Sequence, residues 1–226
     1  MRHATSRQGK QSMERYRLHY FPEAGNSYKL ALMLTLCGQS FEPVWTDFGG
    51  GVTRTDKWRE AVNAMGEIPV LEDDGQRLTQ TAPILLRLAE RHERFAPADE
   101  TERFEVLRWL FFDNQKLSGS MAPYRFRRAF IPNPDPAVQA YLRRNVDNAL
   151  EIVDSELTQR PFIAGNRPTV ADLSMCGYLM FPPDESGYDL AARFPGIGAW
   201  LGRITELPGW KAPYELLPGQ RLRKYV

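Results

Sequence analysis

The sequence predicts a small α/β domain followed by an all-helical one. Three observations lead there. Between Tyr16 and Arg94, short alternating or aromatic-rich segments interleave with helical ones in the order β-α-β-α-β-β-α. The stretch Phe95-Ala96-Pro97-Ala98-Asp99 reads as a linker, and everything beyond it carries helical apolar spacing. The length, 226 residues, is enough for one large domain or two small ones. The expected organisation is therefore a flexible tail over 1–15, an α/β domain over 16–94 and a helical domain over 95–226.

Arg17 to Phe21 alternates and reads as a strand. Asn26 or Ser27 then caps a helix running to Cys37, with Gly38 as its stop. That helix is apolar nearly all round, which predicts burial. Phe41 to Thr46 reads as a second strand, and Pro43 assigns it to an edge or a strand start. The run Gly49-Gly50-Gly51 lacks the Gly-Lys-Ser/Thr continuation of a phosphate loop, so it is read as a flexible loop only. A short helix is expected from Thr55 to Ala64.

Met65 to Gln80 reads as strand, tight Asp-Gly turn, strand. Thr81 opens the next helix, with Pro83 in its first turn, where a missing N–H matters little. The β-α-β portion favours parallel pairing, and the hairpin adds an antiparallel strand. Further on, helices are expected over Glu102–Leu117, Ala137–Gln159, Val170–Phe181 and Gly196–Leu207. Arg143, Arg144 and Asp147 are read as a solvated face, and no internal repeat is visible.

Composition narrows the function. Lys+Arg total 29 against 28 Asp+Glu, so no overall field favours nucleic acid or an anionic membrane. A small polar or zwitterionic partner suits this balance better. The two cysteines, Cys37 and Cys176, sit in apolar helical patterns and read as buried free thiols. No close Cys pair exists, so neither a disulfide framework nor a zinc site is expected, which suits a reducing, cytoplasmic compartment. No stretch reaches the ~20 apolar residues of a membrane span. The start, MRHATSRQGKQSMERY, has no apolar core and is not a secretory signal; it is expected to be a frayed tail or sequence upstream of a later start at Met13.

Three local signatures then resemble the glutathione transferase family, from about Tyr16 to Gly219. The first is Glu67-Ile68-Pro69-Val70-Leu71. In the thioredoxin-like fold the corresponding proline is cis and turns the preceding residue outward. The resemblance implies that the Ile68 backbone pairs with the cysteinyl part of glutathione like an added strand. The second is Gln80-Thr81, entering a helix. A helix N-terminus suits the γ-glutamyl carboxylate, with the Thr81 hydroxyl as a further donor. The family usually has an acidic residue where Gln80 stands, so the ion pair to the ligand's ammonium is replaced by a weaker amide contact. The third is the segment Phe162 to Leu173, in which Thr169 and Asp172 form a capping box that nucleates a buried helix. Its role is structural.

The resemblance implies that a donor near the first helix activates the thiol of bound glutathione. A free thiol has a pKa near ~8.5, and a hydrogen bond to the thiolate lowers it. Three residues of YFPEAGNSYK are candidates. Tyr20 matches the catalytic tyrosine of tyrosine-type members, whereas the serine of serine-type members falls on Ala24, which has no donor. In bacterial members with an Asn-containing turn, Asn26 takes the thiol-facing position, with Ser27 beside it. Tyr20 and the Asn26/Ser27 pair stand as equals, and Lys29 is read as solvated.

Weaker readings complete the picture. Trp58 is set near the glycyl end of glutathione or in the core. Asp113-Asn114 falls where some members reach across a dimer, or on a plain helix surface. Tyr124, Phe126, Trp210 and Tyr214 line an electrophile pocket or pack. The expected function is a homodimeric glutathione transferase joining the glutathione thiolate to a small electrophile. The alternatives are a glutathione-dependent disulfide reductase or peroxidase, and a non-catalytic binding protein that keeps the fold.

Overall fold

A computed structural model describes residues 15–226. The expectation of a flexible tail falls almost wholly outside the described residues. Four strands form one mixed sheet in the order β2-β1-β3-β4: β1 Tyr16–Tyr20, β2 Phe41–Trp45, β3 Val70–Asp73 and β4 Gln76–Leu78. β1 pairs parallel with β2 and antiparallel with β3, with Leu18 opposite both Pro43 and Leu71. The proline-bearing strand β2 is an edge, where its missing N–H interrupts no ladder. β3 and β4 close through Asp74-Gly75, both at positive φ, the backbone that a two-residue hairpin needs.

α1 Gly25–Leu36 lies against the sheet with nearly all of its side chains buried, as its all-round apolar pattern predicts. Its cap differs from expectation. The helix starts two or three residues earlier, Ala24 is the N-cap, and no side chain caps it. Asn26 and Ser27 therefore lie inside the first turn. Gly38, at φ 69°, ends the helix, and its N–H donates to the Thr35 carbonyl. α2 Asp56–Ala61 is capped by Thr55, and α3 Thr81–His92 follows the hairpin.

The remainder is helical. α4 Glu100–Phe112 does not stop at Leu117 as its periodicity suggested. It runs through a π turn, Asp113–Leu117, into α5 Ser118–Phe130. α6 Pro136–Leu157 precedes α7 Val170–Met175, whose capping box of Thr169 and Asp172 is present as expected. The Asp172 carboxylate also accepts from the Ile163 N–H and the Trp200 indole. Short helices follow: α8 Pro183–Ser186, α9 Leu190–Arg193, α10 Pro195–Thr205 and α11 Pro213–Leu216. The face read as solvated on α6 is partly engaged, since Asp147 takes the Tyr188 hydroxyl and Arg193.

α1 is wedged between the sheet and the helical part at two close approaches. A Cβ on Gly25 would come within 2.5 Å of the Tyr178 ring, and one on Gly177 within 2.4 Å of the Lys29 stem. Lys29 is not solvated, and Asp113 is not on a helix surface. Both are buried and paired at 2.7 Å, and the Ser118 hydroxyl contacts each of them. One apolar core continues through both parts, from Leu18 and Leu30 to Trp109, Val153 and Trp200.

Candidate active site

A cleft of about 500 Å³ opens between the start of α1, the loop before β3, and the π turn with α5. Phe21, Phe48, Pro123, Phe126 and Tyr178 supply apolar walls; Glu23, Asn26, Glu67, Gln80, Asn114 and Arg125 supply polar groups. A smaller lobe adjoins it, lined by Asn63, Pro69 and Thr81, with Asn26, Glu67, Ile68 and Gln80 common to both. All five expected binding residues thus converge on one place: Glu67, Ile68, Pro69, Gln80 and Thr81. The Ile68–Pro69 bond is cis.

The three expected thiol-activating residues separate. Tyr20 is buried at the end of β1, and its hydroxyl donates to the Pro218 carbonyl. Ser27 is fully buried, and its hydroxyl accepts the Phe21 N–H at 3.3 Å. Neither lines the cleft. Asn26 does, half-buried at the second position of α1, and its side chain makes no hydrogen bond to the described residues. The helix N-terminus behind it adds partial positive charge.

Gln80 turns its amide nitrogen to the Glu67 carboxylate at 2.8 Å. A negative charge thus stands beside the entrance of α3, although residue 80 itself is neutral. Asn63, which sequence reasoning did not single out, fixes the loop that leads into Glu67. Its amide donates to the Glu67 carbonyl and accepts the Met65 N–H.

The floor is built around Arg125. Its guanidinium is buried, pairs with the buried Glu185, donates to the Glu23 carbonyl at 2.7 Å and stacks on Phe181. Of the four aromatics expected in a pocket, only Phe126 is on the wall. Tyr214 lies beneath, contacting Glu185 and Arg125; Tyr124 packs edge-on against Tyr188; Trp210 packs on the core. Trp58 lines neither lobe. Asn114 reaches the cleft from the π turn, while its neighbour Asp113 points into the core. Tyr178 places its phenol near the N–H groups of Gly25 and Asn26. Burial raises its pKa, against the pull of Arg125 and those N–H groups.

Glu23, Arg125, Phe48 and Tyr178 went unnoticed in the sequence. Glu23 lies within YFPEAGNSYK, and a charged residue set among apolar neighbours is the signal the sequence carries. Among the described residues, no cluster of His, Cys, Asp or Glu could hold a metal ion, and no helix is long and apolar enough to cross a membrane. Cys37 and Cys176 are free and buried.

Residues 18–98 match the model of the glutathione S-transferase N-terminal domain, and residues 109–208 match that of its C-terminal domain. A glutathione S-transferase structure from Pseudomonas fluorescens is 32% identical and superimposes with a TM-score of 0.81, over 88% of this chain and 98% of that one. The chain belongs to the glutathione S-transferase family. Its sheet part has that family's thioredoxin-like fold, followed by the family's helical domain. Glutathione S-transferase F14 of Arabidopsis thaliana is 27% identical over 76% of this chain and 72% of its own length. A glutathione transferase homolog from Lodderomyces elongisporus, solved with two glutathione molecules per subunit, has the same fold at 22% identity. Its TM-score is 0.80, over 91% of this chain and all of that one.

Proposed function

We propose that this protein is a glutathione transferase that holds the glutathione thiolate at Asn26 and joins it to a small electrophile. The observation that carries the reading is Asn26. Of the three candidate donors, it is the one on the cleft wall with its side chain free of hydrogen bonds to the described residues. Its amide N–H favours the charged form of the thiol, as does the N-terminus of α1. Each unit of pKa lowering corresponds to about 1.4 kcal/mol.

The five converging residues support the placement of glutathione. The cysteinyl part pairs with the Ile68 backbone beside Pro69. The γ-glutamyl carboxylate meets the start of α3 with the Thr81 hydroxyl, and its ammonium meets Glu67 and the Gln80 amide oxygen. The electrophile then lies against Phe21, Phe48 and Phe126, held close to the sulfur so that proximity contributes to the rate. Exposed Phe104 and Phe111 on α4 offer an apolar face to a second copy of the chain, in keeping with a homodimer.

The test is conjugation of glutathione to a halogenated nitroarene. Asn26→Ala is expected to lower kcat/KM at least tenfold, about 1.4 kcal/mol. Tyr20→Phe and Ser27→Ala are expected to change it far less. A large loss in Tyr20→Phe with none in Asn26→Ala would return the role to the tyrosine.

A further inference from the structure

Tyr178 reaches the cleft from the helical part of the chain. It ends the 3₁₀ turn Cys176–Tyr178 that follows α7, is 8% exposed, and lines the cleft together with Asn26. Its ring lies against the Gly25 backbone, where an added Cβ would stand 2.5 Å from Cγ and 2.6 Å from Cδ1 and Cδ2. That close approach brings the phenol oxygen to the N–H groups of Gly25 and Asn26, at the free end of α1.

The other phenols of the core differ from this one. Tyr20 and Tyr28 spend their protons on carbonyl oxygens, and Tyr188 on the Asp147 carboxylate. Tyr178 has no such acceptor among the described residues, and its oxygen is not sealed in. The side-chain atoms there that are both enclosed and unpartnered belong to Glu23, Trp109, Gln139, Arg160 and Trp210. A mostly buried phenol normally finds a partner, so a free O–H at a cleft wall points to an acceptor that enters with a ligand. Burial raises the pKa, against the pull of Arg125 and the two N–H groups, so the phenol keeps its proton at neutral pH and serves as a donor, not a base. The nearby cations are committed elsewhere. Lys29, 5.6 Å from the ring centroid, pairs with Asp113, and Arg125 pairs with Glu185.

We propose that Tyr178 is a catalytic residue of this cleft: its hydroxyl donates to the glutathione sulfur, which is then held by one donor from each part of the chain, the Asn26 amide and the Tyr178 phenol. The proposal rests on the glutathione reading above. The thiol S–H bond breaks and its proton leaves to solvent, while Tyr178 keeps its own proton and shares it in the hydrogen bond. The N–H groups of Gly25 and Asn26, the phenol and the sulfur form a chain in which each bond polarises the next. The positive end of α1 thus acts on the thiolate partly through Tyr178. Thiol activation then depends on how the helical part is seated on α1, because the phenol comes from one and the N–H groups from the other.

The experiment titrates the thiolate absorbance of bound glutathione in the wild type and in Tyr178→Phe, which removes one oxygen and keeps the ring that packs on Gly25. The bound thiol pKa is expected to rise by about one unit, the lower end for a hydrogen bond to a charged group. With glutathione saturating, kcat/KM for a halogenated nitroarene is expected to fall about tenfold at a pH below the bound thiol pKa. The deficit is expected to vanish above the bound pKa of both proteins, where the thiol is ionised in each. A merely structural role would not give a loss that pH removes. An unshifted thiol pKa in Tyr178→Phe, or a loss of equal size at every pH, would overturn the role of Tyr178 and leave the reading of Asn26 standing. Failure of the wild type to bind glutathione by calorimetry, or to lower its thiol pKa, would overturn that reading and this one with it.

Discussion

Replacing Asp113 by Ala removes the acceptor of a fully buried ammonium. Lys29 and Asp113 side chains are 3% and 1% exposed and meet at 2.7 Å, so neither charge can turn to solvent. Among the described residues, Lys29 then keeps only the Ser118 oxygen as an acceptor, at 2.8 Å. Its stem cannot retreat, because Gly177 is packed against it. Breaking a buried pair from one side costs about 3–5 kcal/mol, which for a chain of this size is a fall in Tm of roughly 6–20 °C. Thermal unfolding followed by circular dichroism, with urea titration beside it, measures the loss. The double variant Lys29→Met with Asp113→Leu removes both charges and is expected to recover most of it. A loss below about 1 kcal/mol in Asp113→Ala, the size of a surface ion pair, would refute the argument. The pair also ties α1, which carries Asn26, to the π turn that carries Asn114. Activity of Asp113→Ala is therefore expected to fall even where the protein remains folded.

Gly25→Ala is expected to cost about 1–3 kcal/mol in urea unfolding, because its Cβ meets the Tyr178 ring near its attachment point. Gly202→Ala, exposed in α10 with open space around it, is expected to gain roughly 0.5–1 kcal/mol in the same assay. Burial opposes the charge of Asp73, but hydrogen bonds and charges from Arg91 and Arg15 outweigh it and hold its pKa below the usual range. The unfolded chain then binds the proton more tightly. This stabilisation is full above the unfolded pKa near ~3.9 and is lost as pH falls through the folded value. Asp73→Asn is expected to flatten that acid limb in melts taken across pH. Glu23 has the opposite sign: its raised pKa favours the folded state at low pH, and the advantage is lost as pH rises through the folded value. Glu23→Gln is expected to be more stable than the wild type at pH 8 relative to pH 5.

The features legible in the sequence are those written in a few adjacent residues. The Asp74-Gly75 turn, Pro43 on an edge, the Thr169/Asp172 box and the Glu67-to-Leu71 run each carry their physics locally, and each stands where it was expected. The five residues proposed to contact glutathione line one lobe of the cleft, and each was picked out by its local run for the same reason. The separation of Tyr20, Ser27 and Asn26 was not, because it depends on distant chain. Tyr20 faces inward because Pro218 lies over it, and strand alternation does not say which face is covered. Lys29 looked solvated because its partner is 84 residues away. Glu23 is anchored by Leu222, 199 residues on. The π turn at Asp113 leaves the apolar spacing almost unbroken, so α5 was hidden behind the end of α4.

The most direct test is a pH titration of thiolate absorbance for glutathione bound to the wild type and to Asn26→Ala. A bound thiol pKa well below the free value in the wild type, returning toward it in Asn26→Ala, is the predicted result. Binding without a shift, or a shift that survives the loss of Asn26, would contradict the assignment of the thiolate to the start of α1 through that side chain.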